Sequence, residues 1–189
     1  MTPIDQDMTP LAGLQFLRQL DLPESGTADF SPLATVATLR VLGLPDAQVD
    51  GATLASIAMI PGLEVLNLAN TGVVDVAPLT PLETLESLNL DGSAITSLAP
   101  FAVFPQLRTL VLPRTQVTDV VGVADIERLG SLDLTESPVA DVGPLVDFIA
   151  FRTGDELKVK GTALDEGDCP DILALRDRDC TVQTDLTCE

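Results

Sequence analysis

The side chains able to do chemistry in this chain are carboxylates, hydroxyls and three cysteines, and there is no histidine. Hydroxyl residues recur at Ser25, Thr71, Ser93, Thr115, Ser137 and Thr162, a column interrupted at Ala47. A hydroxyl nucleophile needs a base beside it, and nothing in the sequence supplies one. The same column suits structural work, because a hydroxyl both donates and accepts and can tie a backbone turn. A second row runs Asp29, Asp75, Ser97, Asp119 and Asp141, usually followed by a Pro-Leu pair such as Pro32-Leu33, Pro78-Leu79 or Pro144-Leu145. That spacing predicts a side chain capping a short helical turn that proline can open. Calcium binding by the row is the alternative, but the carboxylates come once per copy. No D-x-D cluster gathers the six or more oxygens calcium takes. Asp21, Asp91 and Asp133 could in principle do acid–base work, yet each falls on an open strand where nothing would raise a carboxylate's pKa. Three thiols without histidine or C-x-x-C spacing do not read as zinc ligands or as a redox pair. The expectation is a protein that is not an enzyme and holds no metal or cofactor.

The elements that position these residues repeat. Leu17, Leu39, Leu63, Leu85, Leu107 and Leu129 are separated by steps of 22, 24, 22, 22 and 22 residues. A period in this range marks a solenoid. The unit is clearest from Leu63 to Leu79, and its pattern is L-x-x-L-x-L-x-x-(S/T)-x-(V/I)-x-(D/S)-(V/L/F)-x-P-L. This pattern resembles the leucine-rich repeat family, most closely its bacterial internalin-like and SDS22-like short repeats, over roughly residues 7–165. The resemblance implies an α/β fold: a curved, right-handed leucine-rich repeat solenoid. Its parallel β-sheet would form the concave face, with short 3-10 and α helices on the convex face.

Taken in order, residues 1–16 read as a partial repeat or N-terminal cap, 17–165 as leucine-rich repeats, and 166–189 as a C-terminal cap with a helix, a strand and a disulfide. Asp7, Met8, Pro10, Leu11 and Leu14 lie one period before Asp29, Phe30, Pro32, Leu33 and Val36, so 7–14 should form the second half of a coil. Period-2 alternation in each strand points Leu20 and Leu22, and their equivalents, inward. Eight strands are expected, counting those around Leu157 and Val182. The low aromatic content, 3%, predicts a core of Leu, Val, Ile and Ala rather than large rings. Two copies are longer. The stretch from Val49 to Gly62 predicts a true helix capped near Asp50 and stopped by Pro61-Gly62, and Pro144 to Thr153, with apolar Leu145, Phe148, Ile149 and Phe151, predicts another ended by Gly154.

In the cap, a helix is expected from Pro170 to about Arg178 and a strand from Cys180 to Thr184, similar to the cysteine-bearing caps of secreted bacterial leucine-rich proteins. Three cysteines allow one intramolecular disulfide. Cys169 precedes the helix at the level where strands end, and Cys188 follows the last strand, so these two can meet. Cys180 would begin that strand one helix length away, roughly 13 Å. Aligning Cys180 and Val182 with Leu157 and Val159 points Cys180 inward as a free thiol. A disulfide implies an oxidising compartment, hence an extracellular or cell-envelope location.

With 29 acidic against 10 basic residues the net charge is −19, which repels nucleic acid and anionic membranes. No apolar run approaches the ~20 residues of a membrane span. The expected function is protein–protein interaction through the concave face, as part of a secreted or cell-surface bacterial protein. The candidate contact residues are Asp21, Val65, Asn67, Ser87, Asn89, Asp91, Thr109, Val111, Arg114 and Asp133. Association through the N-terminal end of the solenoid is a further expected contact. The alternative is a structural spacer of a larger surface protein, favoured by a concave face that lacks the Trp and Tyr typical of interface hot spots.

Overall fold

A computed structural model describes residues 7–26, 28–147 and 152–189. Eight three-residue strands form one sheet in strictly sequential order: β1 (Gln19–Asp21), β2 (Val41–Gly43), β3 (Val65–Asn67), β4 (Ser87–Asn89), β5 (Thr109–Val111), β6 (Ser131–Asp133), β7 (Glu156–Lys158) and β8 (Thr181–Gln183). Every neighbouring pair is parallel. The middle residue of each strand is the leucine the repeat predicts, from Leu20 through Leu42, Leu66, Leu88, Leu110 and Leu132 to Leu157, with Val182 last. Alternation does the rest: the leucine enters the interior and its two neighbours face outward on the concave side.

The ladder outlasts the strands. Leu22, Leu44, Leu68, Leu90, Leu112 and Leu134 each donate their N–H to the next coil at 2.8 Å. Two residues on, Glu24, Asp46, Asn70, Gly92, Arg114 and Glu136 do the same at 2.7 to 2.9 Å. All six have positive φ, between 52° and 68°. Only one is glycine, although a left-handed conformation strains other residues. The hydrogen bond to the next coil, repeated once per turn, holds them there.

The chain returns along the convex side through 3-10 turns at Thr9–Leu11, Ser31–Thr35, Ala77–Leu79, Ala99–Val103 and Val123–Asp125. Asp29, Asp75, Asp119 and Asp141, and Ser97, each accept the N–H of the residue two further on, at 2.7 to 3.2 Å. Asp29, Asp75 and Ser97 therefore cap from one position before the formal helix cap, as a turn closed by the side chain, whereas Asp119 closes its turn on Val121, ahead of the Gly122 cap. Asp7 accepts the N–H of Thr9 in the same way, and Asp7 bridges Asp29 in parallel.

The longer copies form α1 (Gly51–Ile57) and α2 (Gly143–Asp147). Asp50 caps α1 by accepting the Thr53 N–H at 2.8 Å. The helix ends at Ile57, earlier than Pro61-Gly62 predicts, because Ala58 to Ile60 tighten into a turn: Met59 and Ile60 donate to Ser56 and Ile57 carbonyls three residues back. Phe148, Ile149 and Phe151 of the second expected helix fall on residues 148–151, which lie outside those described, and its expected end at Arg152 and Thr153 is not helix but a turn closed by the Asp155 N–H on the Arg152 carbonyl.

The core is one continuous column of leucine, valine and isoleucine. Burying each such side chain is worth roughly 1.5–3 kcal/mol. Three rings nevertheless enter it, which corrects the aliphatic-only expectation. Phe101 takes the place held by Leu33 and Leu79 in other coils, and Phe30 and Phe104 are buried beside the convex turns.

At the C-terminal end a 3-10 turn, Glu166–Asp168, leads into α3 (Cys169–Arg176), and Cys169 is bonded to Cys188 with Cα atoms 5.3 Å apart. Cys180 is free and buried. The expected alignment of the last strand is off by two residues. Leu157 pairs with Val182, not with Cys180, because the N–H of Cys180 bonds the Leu175 carbonyl and so belongs to the end of α3. Two residues along a strand preserve the facing, so Cys180 still points inward, and its Sγ donates to the Arg152 carbonyl at 3.3 Å.

Candidate protein-binding face

Each strand contributes two outward residues to the concave face. The first column runs Gln19, Val41, Val65, Ser87, Thr109, Ser131, Glu156 and Thr181. The second runs Asp21, Gly43, Asn67, Asn89, Val111, Asp133, Lys158 and Gln183. Across β2 to β5 neither column holds a charged residue. Charge gathers at the two ends and along the turn that follows each strand.

The candidate contact residues divide into two groups. Asn67, Asn89 and Asp133 face outward, but each uses its side-chain Oδ1 to accept a backbone N–H at the turn, from Ala69, Asp91 and Thr135 respectively, at 2.9 to 3.1 Å. These three hold the strand end. Asp21 accepts from Gln19 Nε2 at 2.6 Å and lies across Gly43, where any Cβ would come within 2.1 Å of its Oδ1. Arg114 and Asp91 form a two-pronged ion pair, with Nε to Oδ1 at 2.9 Å and Nη2 to Oδ2 at 2.6 Å. The Asp91 hydrogen bond and then its charge raise the Arg114 pKa above its ordinary value. Val65, Ser87, Thr109 and Val111 are half-buried by the neighbouring side chains and form a smooth neutral strip between these fixtures.

The turn position that Arg114 holds after β5 is held by Asp46 after β2 and Asn70 after β3, whose side chains meet at 3.1 Å, with Asn70 Oδ1 3.5 Å from Arg114 Nη2. Asp46, Asn70, Asp91 and Arg114 are thus one polar rim beside the strip. The repeat pattern treats the left-handed positions as variable turn residues, so sequence reasoning misses Asp46. Its place 22 residues after Glu24 and 24 before Asn70, in register with the repeat, is the signal that could have found it. At the far end, Lys158 sits 3.3 Å from Glu156 and 3.8 Å from Asp133.

The hydroxyl column behaves as a ladder in part. Thr71, Thr115 and Thr162 donate to the carbonyls of Leu68, Leu112 and Val159 at 2.6 to 2.9 Å. Ser137, fully buried, accepts the Thr115 N–H and lies 2.9 Å from the Leu112 carbonyl. Ser25 and Ser93 break the pattern, with buried hydroxyl oxygens that meet no partner among the described residues. One carboxylate trio, Asp141, Asp168 and Asp171, brings oxygens within 4.8 Å of one another where the cap meets the repeats. Oxygens of Asp141 and Asp168 there accept the N–H groups of Gly143 and Asp165, which is turn capping. No helix among the described residues is long and apolar enough to cross a membrane.

No protein-family profile and no curated protein sequence matches this chain. Solved structures do. Internalin C2 of Listeria monocytogenes is similar over 89% of this chain and 71% of its own, with TM-score 0.70 and 23% identity. The Listeria internalin inlF is similar over 95% of this chain and 59% of its own, with TM-score 0.68 and 22% identity. A leucine-rich-repeat protein of Leptospira interrogans matches over 90% of this chain and 49% of its own, with TM-score 0.64 and 16% identity. The likeness is one of fold, and it is the leucine-rich-repeat solenoid.

Proposed function

We propose that this leucine-rich-repeat solenoid binds a protein partner on its concave face and works in a secreted or cell-surface setting. The observation that carries the reading is the neutral strip of Val65, Ser87, Thr109 and Val111 across adjacent strands, bordered by the Asp46, Asn70, Asp91 and Arg114 rim. Half-buried small residues on a rigid sheet lose little entropy on contact, and a polar rim around a neutral centre is the usual anatomy of an interface. In this reading residues 17–165 present the surface, and 166–189 close the end of the core. The Cys169–Cys188 bond supports an oxidising compartment. Phe16 is 91% exposed at the N-terminal end, beside half-exposed Leu14, and suits a second contact there.

Asn67, Asn89 and Asp133 contribute to this face by holding its strand ends, so substituting them would confuse folding with binding. The informative variant is Val65→Arg with Ser87→Arg, which alters the strip alone. Wild type and variant are compared as baits against the envelope fraction of the source organism. Loss of a retained protein in the variant is the expected result, and identical retention by both would refute the concave-face reading.

A further inference from the structure

On the opposite rim, at the starts of β1 to β7, the residues preceding the first outward column are Arg18, Arg40, Glu64, Glu86, Arg108, Gly130 and Asp155. Six of the seven carry charge. Gly130 leaves a notch between Arg108 and Asp155, and a Cβ there would come within 2.9 Å of Asp155 Oδ1. The notch opens a cleft of about 290 Å³ whose walls include Arg108, Arg128 and Arg152 with Glu127 and Asp155. Three of the eight arginines of a chain with net charge −19 therefore meet at one place.

Of the seven other cations, three pair with the chain's own carboxylates among the described residues. Among the described residues the ion pairs are Arg40 with Glu64, Arg114 with Asp91, and Lys158 with Asp133 and Glu156. None involves Arg108, Arg128 or Arg152. Asp155, the carboxylate nearest to hand, gives its Oδ2 to the backbone N–H of Arg152 at 2.5 Å. One arginine suffices for one carboxylate, as the two-pronged Arg114 pair shows. Three arginines line the cleft against the two carboxylates of Glu127 and Asp155, an excess of positive charge that suits a small anion with several acceptor oxygens.

We infer that the Arg108, Arg128 and Arg152 cleft around Gly130 binds a tetrahedral oxyanion, a phosphate or sulfate group, free or as a monoester. This site lies apart from the concave strip and stands or falls independently of it. The overall negative charge does not forbid it, because at ~0.15 M salt charges more than about 8 Å away are screened while those lining the cleft are not.

The test is titration calorimetry at that ionic strength with inorganic phosphate, inorganic sulfate and methyl phosphate, on wild type, Arg128→Gln, Arg152→Gln, the double variant, and Arg114→Gln as a control. Far-UV circular dichroism verifies the fold of each. Saturable binding of at least one anion to wild type is expected, weakened about tenfold or more by Arg128→Gln or Arg152→Gln through loss of a charge-assisted hydrogen bond. Arg114→Gln should leave it unchanged. Methyl phosphate binding like phosphate would assign an ester group as the ligand, and its exclusion would assign the free ion. Absence of saturable binding by all three anions, or an isotherm unaltered in the double variant, would overturn the inference.

Discussion

The hydroxyl column shows how much one residue's neighbours decide. Ser137 is fully buried and bonded to both Thr115 and Leu112, whereas Ser93 is buried with no partner among the described residues. Removing Ser137 Oγ leaves a buried N–H unsatisfied, a loss of about 1–3 kcal/mol, while removing an unpartnered hydroxyl leaves nothing orphaned. Urea denaturation should therefore show Ser137→Ala clearly less stable than wild type and Ser93→Ala near neutral. Equal losses would contradict the ladder as described. The column itself is legible in the sequence, but its unequal members are not, since spacing places a side chain without revealing which carbonyl it meets. The same limit applies to Asn67, Asn89 and Asp133. Their outward facing follows from alternation, and their use as turn fasteners depends on backbone geometry that no residue type announces.

At the scale of elements, strands and turns follow from the period, and helix ends do not. The Asp50 cap was readable because a capping residue before an apolar run has a local cause. The early end of α1 was not, because it comes from the return of the chain toward β3. Asp50 also makes a pH prediction. The Thr53 backbone N–H and then its hydroxyl hold the Asp50 carboxyl below the ordinary carboxylate pKa, and Ser31 does the same to Asp29. A carboxylate with a lowered folded-state pKa adds stability above its unfolded value, and that stability is lost as pH falls through the folded one. Asp50→Ala should therefore lower the melting temperature at pH 6, and the gap from wild type should close below about pH 4. A gap that persists at pH 2 would show that the carboxylate charge is not what caps α1. The two-residue offset of β8 has the same origin as the end of α1: α3 fixes where the last strand begins, and the repeat period does not continue through it.

For the whole molecule, a stack in which each coil touches only its neighbours is as stable as its ends allow. The C-terminal end is tied by Cys169 and Cys188, 19 residues apart. Closing a loop of that length is worth about 3 kcal/mol, so the Cys169→Ser, Cys188→Ser double variant should lose stability of that order in urea unfolding. A midpoint equal to wild type would mean that the cap holds without its bond. The solenoid was legible from six leucines in register; the arginine cleft was not, because Arg108 and Arg128 stand at opposite ends of one copy, Arg152 lies in the next, and only the stacking of the coils brings them to one opening. The central claim, that the concave face meets a protein partner, is tested most directly by a photo-crosslinking amino acid placed at Ser87 on the strip and, separately, at Val74, exposed on the return side of its coil. The account predicts one specific adduct from Ser87 and none from Val74 when each is illuminated with the envelope fraction. The same adduct from both positions, or an adduct from Val74 alone, would contradict it.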